Sequence, residues 1–378
     1  MKRYLYSLLL VTFFFISCVN SPIYTNENIG KGQQIDSLCL SYLYAVNISL
    51  DNETPIDWLN TSLIEKNDSI YVLVFNTYIG DFFYYDARTG MSKGKMSTGL
   101  TDMDGMNVYN NQNIYVHDYE KCVFYSLNDS GDVCDTLKVT FFEGKNIAPP
   151  SRISIFNGVN FENNKLYYTT FSVGEGDKGE RFCGSILDFE NNKETYIIPY
   201  PKVYQMANWG GSMYRLGCTC FNTLQKLFLF SFPASHYLYV YDMKKNVTES
   251  FYAGSKFVKG ISSYSNNIDE PFDDNESIRH YISNSSYGAI VYDKYRNLYY
   301  RVVEMPQKDG NDEFKNLKQL SIIILDESFN IVGETSFAEP YGSTILVTPD
   351  GLLIPFVEDA DLDGTMCYHM YKVCVLGE

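Results

Sequence analysis

Asp359-Ala360-Asp361-Leu362-Asp363-Gly364 places three carboxylates at alternate positions ahead of a glycine. Hard oxygen ligands converging where Gly permits a sharp turn match the opening of a calcium loop. The twelfth position, counted from Asp359, is Met370 rather than Glu, so the motif is not an EF-hand. Two readings stay open: a Ca²⁺-stabilised hairpin loop with Asp359, Asp361 and Asp363 as ligands, or, more plainly, a solvated acidic turn ahead of a strand. Gly174-Glu175-Gly176-Asp177-Lys178-Gly179 fits the GxGxxG spacing. It lies between two expected strands and among acids, so it reads as a flexible loop rather than a dinucleotide cradle. The four histidines, His117, His236, His280 and His369, fall in no nucleophile–base motif, and neither G-x-S-x-G nor H-E-x-x-H occurs. His117 and His369 sit inside expected strands and read as packing residues. Arg152, Trp209, Arg279, His280 and Tyr341 fall in expected loops or at strand ends, where each alone reads as structural. Gathered at one cavity mouth, they would supply stacking and hydrogen bonds for a sugar or peptide.

Charge narrows the partners. With 46 acidic against 30 basic side chains the chain carries a formal charge of −16, so no face can neutralise many phosphates and nucleic acid is excluded as a nonspecific partner. A 45% hydrophobic content is far too high for a disordered acidic tail. The acidic run Asp269 to Glu276 reads as a solvated loop, or as a docking site for a basic partner.

The N-terminus reads as an address. Lys2 and Arg3 precede an apolar run, Tyr4 to Ile16, too short to span a bilayer and suited to a signal peptide. The run ends Phe15-Ile16-Ser17-Cys18, which resembles a bacterial lipobox, where a Cys is lipidated and becomes the mature N-terminus. The expected organisation is a lipoprotein signal peptide at 1–17, a tether at 18–35 lipidated on Cys18, and one folded domain at 36–378. Losing residues 1–17 removes two positive charges and no acids, taking the formal charge from −16 to −18. Membrane association is then through acyl chains rather than a span. The expected location is the outer membrane, with periplasmic and cell-surface display both open. Eight cysteines follow Cys18, an even number that permits disulfides in an exported protein, with free thiols the plainer reading.

The elements that must position these residues are strands. From about residue 60 a loose unit repeats: a turn rich in Asn or Asp, an apolar-aromatic strand, a loop, and a second strand often ending in Tyr-Asp. Asn67 to Val74 with Phe82 to Asp86 is the first example, and Asp350 to Ile354 with Met366 to Tyr371 the last of six. A spacing of about 45–70 residues suits propeller blades. Helical periodicity is confined to Asp274–Tyr281. The last unit runs out one strand short, and Leu38 to Leu50 is an apolar-aromatic strand ahead of the first unit. The fold expected is therefore an all-β, six-bladed β-propeller, its ring closed by an N-terminal strand that completes the last blade. Closure of this kind removes both exposed edges.

The lipobox, the six units and the stretch Tyr287-Gly288-Ala289-Ile290-Val291-Tyr292-Asp293-Lys294-Tyr295-Arg296-Asn297-Leu298-Tyr299-Tyr300-Arg301 resemble a family of Bacteroidetes lipoproteins. The resemblance spans essentially the whole mature chain. It implies a TolB-like six-bladed propeller of unknown function and transfers no chemistry.

The long loops expected on one face (173–181, 199–212, 253–286, 304–316 and 358–364) place function around the mouth of the central channel, with Arg152, Trp209, Arg279, His280 and Tyr341 lining it. Two functions fit. The first is a noncatalytic binding or scaffolding module, monomeric and lipid-anchored, for a protein, peptide or glycan. The second is a hydrolase or lyase acting on glycans through paired channel carboxylates. Fold alone does not choose between them.

Overall fold

The computed structural model describes residues 23–27, 36–109, 113–139, 149–174, 181–306, 318–357 and 364–377. Cys18, the three aspartates Asp359, Asp361 and Asp363, and residues 175–180 of the Gly-rich loop lie outside the described residues.

Strands dominate, each sheet a meander whose turns the sequence dictates. The first sheet holds Thr61–Lys66, Ser69–Asn76, Asp81–Asp86 and Ser92–Ser97. Its opening hairpin turns on Asn67 and Asp68, both at positive φ, the conformation of the two-residue turn that matches strand twist. The second sheet holds Gly105–Tyr109, Asn113–Asp118, Val123–Leu127 and Val133–Lys138. The third holds Asn160–Glu162, Lys165–Gly174, Arg181–Asp188 and Lys193–Pro199, and it too opens on a pair of positive-φ residues, Asn163 and Asn164. The fourth holds Cys218–Asn222, Leu227–Ser231, Tyr237–Asp242 and Val247–Tyr252.

Eight further strands form one sheet. Ser286–Asp293, Leu298–Met305, Gln319–Leu325 and Ile331–Ser336 make one half; Leu38–Ser49, Thr365–Val375, Leu352–Phe356 and Leu346–Val347 make the other. The halves meet at a single parallel pair, Leu38 opposite Gly333. Gly is required there, because a Cβ would come within 2.0 Å of the Leu38 carbonyl oxygen. The N-terminal strand runs antiparallel to Thr365–Val375 over its whole length, from Leu38 opposite Val375 to Ser49 opposite Thr365. Among the described residues the fold is all-β and propeller-like, built of four separate four-stranded sheets, this eight-stranded one and a two-stranded pair, Thr25–Glu27 with Gly260–Ser262.

The Tyr and Phe excess goes to the seams. Strands inside each meander are apolar on both faces (Leu227–Ser231 is almost wholly buried), while outer strands such as Ser92–Ser97 are largely exposed. Among the described residues the buried apolar side chains fall into six clusters, each lying between consecutive four-strand meanders. The helix at Asp274–Ser283 covers the stretch with helical periodicity; the Asp273 side chain caps it by accepting from the Glu276 amide at 2.7 Å. Among the described residues no helix is long and apolar enough to cross a membrane.

Within the segment expected to run as a tether, residues 23–27 are fixed to the domain. Thr25–Glu27 pairs antiparallel with Gly260–Ser262. The Asn26 carbonyl lies 2.8 Å from Nε2 of buried His236, whose Nδ1 lies 2.7 Å from the Tyr287 hydroxyl. A carbonyl can only accept, so Nε2 carries the proton and Nδ1 accepts from Tyr287.

Candidate functional site

In each meander the connection to the next sheet and the loop between second and third strands share one face, here the loop face. The central channel is where function was expected, and it is stoppered on that face. Ile155 donates its amide to the Leu59 carbonyl at 3.1 Å, and the Thr219 amide donates to the Phe156 carbonyl at 2.6 Å. Phe156 also packs against the cluster between the two halves of the eight-stranded sheet. The segment 153–158 thus ties the first, fourth and eight-stranded sheets together across the channel. Gly105 makes room for it, since a Cβ there would meet the Ile153 carbonyl oxygen at 2.1 Å. Below the stopper remains a cavity of about 180 Å³, lined by Ser62, Asn107, Tyr109, Thr219, Tyr292 and Lys294 among others. Lys294 there is ion-paired with Glu65 at 2.6 Å.

None of the five residues expected at the channel mouth lines that cavity. Arg152 is exposed, pairs with Asp104 at 3.2 Å and lies over the Tyr119 ring. Tyr341 is buried, its hydroxyl 2.7 Å from His369 Nδ1 and 2.6 Å from the Tyr371 hydroxyl. Burial pushes its pKa up, with Tyr371 and Glu339 adding to the effect. Arg279 is exposed on the helix. His280 and Trp209 are joined through Tyr214, whose ring centroid lies 5.2 Å from His280 and 6.0 Å from Trp209. Burial lowers the His280 pKa to about 4, with Lys318 adding to the effect.

A larger cavity, about 570 Å³, opens on the loop face between the third and fourth sheets. Its volume lies within the range of small-molecule pockets. Cys183, Ala207, Trp209, Gly217 and Phe230 form a buried, mostly apolar floor, with Thr169, Thr170 and Asn208 as its polar points. Arg181, Gln205, Arg215, Ile268 and Asp269 form an exposed rim. Of the five expected residues, Trp209 alone is here, 2% exposed, with its Nε1 donating to the Val203 carbonyl at 3.0 Å.

Tyr200 positions both rim arginines. Its amide donates to the Arg181 carbonyl at 2.6 Å, and its hydroxyl donates to the Arg215 carbonyl. The Tyr200 ring packs on Tyr204 and Phe232, and burial holds its hydroxyl protonated far above neutral pH. Arg215 lies over the Phe272 ring, 5.4 Å from its centroid. Among the described residues Arg88, Arg152 and Arg296 have carboxylate partners, whereas the guanidiniums of Arg181 and Arg215 have none. In so acidic a chain, two guanidiniums at one cavity that pair with no carboxylate among the described residues, Asp269 of the same rim included, are conspicuous, because their fork geometry matches an anionic ligand. The N-terminal segment buttresses the same wall, the Tyr24 ring meeting Trp209 edge-on at 6.1 Å.

Sequence reasoning found Trp209 by its loop context but missed Arg181 and Arg215. Arg181 closes a Gly-rich loop and Arg215 ends a single helical turn, Ser212–Arg215, so neither stands out locally. Among the described residues no three His, Cys, Asp or Glu side chains converge as a metal site needs, and Asp359, Asp361 and Asp363 lie outside them.

The model of a domain of unknown function, DUF4221, matches residues 97–336. Among solved structures, a DUF4221 member from Bacteroides vulgatus superposes with a TM-score of 0.72 at 21% identity, covering 90% of this chain and 100% of that one. A Bacteroides fragilis protein classed as exported gives a TM-score of 0.49 at 10% identity over 91% of this chain and 97% of its own. A β-propeller domain from Myceliophteria thermophila gives 0.38 at 8% identity over 85% and 99%. No curated protein matches the chain.

Proposed function

The chain belongs to the DUF4221 family, a domain of unknown function, and from that premise we propose that it is a noncatalytic, lipid-anchored binding propeller of the outer membrane. Its ligand site is the cavity between the third and fourth sheets. The observation that carries this reading is the pairing of an apolar, enclosed floor with two rim arginines that have no carboxylate partner among the described residues. The ligand class is a small organic anion with an apolar body, such as the free C-terminus of a peptide. The body displaces water from the floor and the carboxylate meets the guanidiniums. Within the described lining the carboxylate is Asp269, so the two-carboxylate hydrolase or lyase reading lacks support there.

Six blades of the TolB-like kind remain the architecture proposed. The eight-stranded sheet counts as two four-stranded blades joined at the Leu38–Gly333 contact, and the six seam clusters fit that count. The N-terminal strand then closes the ring. A lipid on Cys18 would sit five residues before Ile23, at most about 18 Å of chain from the docked segment. That short reach turns the loop face toward the membrane.

Calorimetric titration with N-acetyl-phenylalanine and its uncharged amide tests the ligand class. Saturable binding of the acid, weakened about tenfold or more in the amide and in Arg215→Ala, is expected. Equal binding of both compounds would remove the anion requirement. No binding of either would count against the pocket.

A further inference from the structure

Strand register places Cys39 directly opposite Cys374, between the pairs Leu38–Val375 and Leu40–Val373. These are the first long strand of the folded domain and its last, so the pair sits where the two ends of the chain are held together. Among the described residues no other strand register opposes two cysteines: Cys220 faces Leu229, Cys218 faces Ser231, and Cys367 faces Asn47 and Phe356. Both thiols are free in the structure and half-buried, within reach of a small oxidant.

We infer that Cys39 and Cys374 form a disulfide that staples the N-terminal strand to the C-terminal strand once the protein is exported. Three arguments carry it. Residues directly opposed in an antiparallel pair point to the same side of the sheet, with Cα atoms about 4.5–5.5 Å apart. That separation falls inside the range a disulfide accepts, about 4.4–6.8 Å, so the backbone spacing permits the bond. The export signal expected at residues 1–17 would deliver the chain to a compartment where disulfides persist. Finally, the bridge encloses nearly the whole folded domain, and long closed loops restrict the unfolded chain most.

The chemistry is a thiol–disulfide exchange with a dithiol–disulfide oxidant of the envelope. One cysteine, as thiolate, attacks the oxidant's S–S bond and releases one of its sulfurs as a thiol. The other cysteine, also as thiolate, then attacks the mixed disulfide and releases the second. The protein loses two electrons and two protons and the oxidant gains both. None of the other six cysteines after Cys18 is opposed by a second cysteine in the described registers, and these stay as thiols.

The test is alkylation of the full exported protein under denaturing conditions without reductant, followed by mass spectrometry. Six of the eight cysteines after Cys18 are expected to react, with one cross-linked peptide pair joining Cys39 to Cys374. Reaction of all eight, or a cross-link between any other two cysteines, overturns the inference. Oxidised glutathione added to reduced, folded protein provides a second arm that does not depend on export. It is expected to close the same bond and raise Tm by about 5 °C or more, a shift absent from Cys39→Ser. A bond that forms without raising Tm overturns the stapling role.

Discussion

The fourth sheet has two seams, and they use arginine in opposite ways. Toward the fifth meander, Ser286–Ser336, eighteen buried apolar side chains among the described residues fill the seam. Arg301 lies among them, wholly buried. Its Nε donates to Ser231 Oγ at 3.0 Å, its Nη1 to the Ala253 carbonyl at 2.9 Å and its Nη2 to the Ser235 carbonyl at 2.8 Å, while the guanidinium lies 3.8 Å from the Tyr287 ring centroid. Burial lowers its pKa to about 10, still far above neutral, so the cation persists and carbonyl dipoles compensate it. Toward the third sheet the buried cluster has nine members among the described residues, and the seam opens into the 570 Å³ cavity, where Arg181 and Arg215 face solvent. One arginine has its donors satisfied from within and holds two sheets together. The other two leave their guanidiniums without a carboxylate partner among the described residues, which is what the proposed anion site requires. Residue type does not separate structure from function here; the partners do.

Truncating the buried arginine should do the most damage. Arg301→Ala leaves two carbonyls and a hydroxyl without donors around a new void, and is expected to cost about 3–5 kcal/mol in urea unfolding. Arg181→Ala and Arg215→Ala should each change stability by less than about 0.5 kcal/mol, since both are exposed. Equal losses at the two seams would break the comparison.

Acid should loosen the molecule through its buried histidines. Burial lowers the pKa of His117 to about 4 and also lowers that of His236. A histidine depressed in the folded state contributes stability above its unfolded value of about 6.5, and that contribution is lost as pH falls toward 4. For His117, fully buried and stacked on Phe124 at 4.3 Å, the loss is of order 2–3 kcal/mol. His117→Phe should flatten the pH dependence of the melting temperature between pH 6.5 and 4, and an unchanged slope would contradict the assignment.

Phe156→Ala, in the channel stopper, is expected to cost about 1–3 kcal/mol, less than a wholly buried Phe, and to leave acid binding in the cavity within about twofold. Coupled loss of binding would mean that channel and cavity act as one site. Tyr200→Phe should be the mildest, about 1 kcal/mol in stability from the lost hydroxyl bond to Arg215. Its sharper readout is a several-fold narrowing of the acid-over-amide preference, because Arg215 loses its anchor.

The strands were legible because their signal is local. Alternating aromatics bounded by Asn67-Asp68 or Asn163-Asn164 specify hairpins without reference to the rest of the chain, and Leu38–Ser49 announces itself as a strand in want of a partner. The site was legible only in part. Trp209 stood out by its loop context, Asn208-Trp209-Gly210-Gly211. Arg181 and Arg215 become a pair through Tyr200, which touches both backbones, and nothing in their spacing reveals that. The channel stopper and the docking of Thr25–Glu27 on Gly260–Ser262 also rest on contacts between distant segments, and three-residue strands are too short to show a period. The same holds for Cys39 and Cys374, whose relation is a matter of register.

The two tryptophans also provide the most direct test of where ligand binds. Trp209 lines the cavity, while Trp58 packs on Tyr368 against the cluster beside the first sheet. In a Trp58→Phe chain excited at the red edge, where tyrosine does not absorb, the tryptophan fluorescence belongs to Trp209 alone. Titration with N-acetyl-phenylalanine is predicted to give a saturable change in that emission, weakened about tenfold or more when Arg215 is also replaced by Ala. An emission that stays flat while calorimetry records binding would place the ligand elsewhere and contradict the assignment of the cavity.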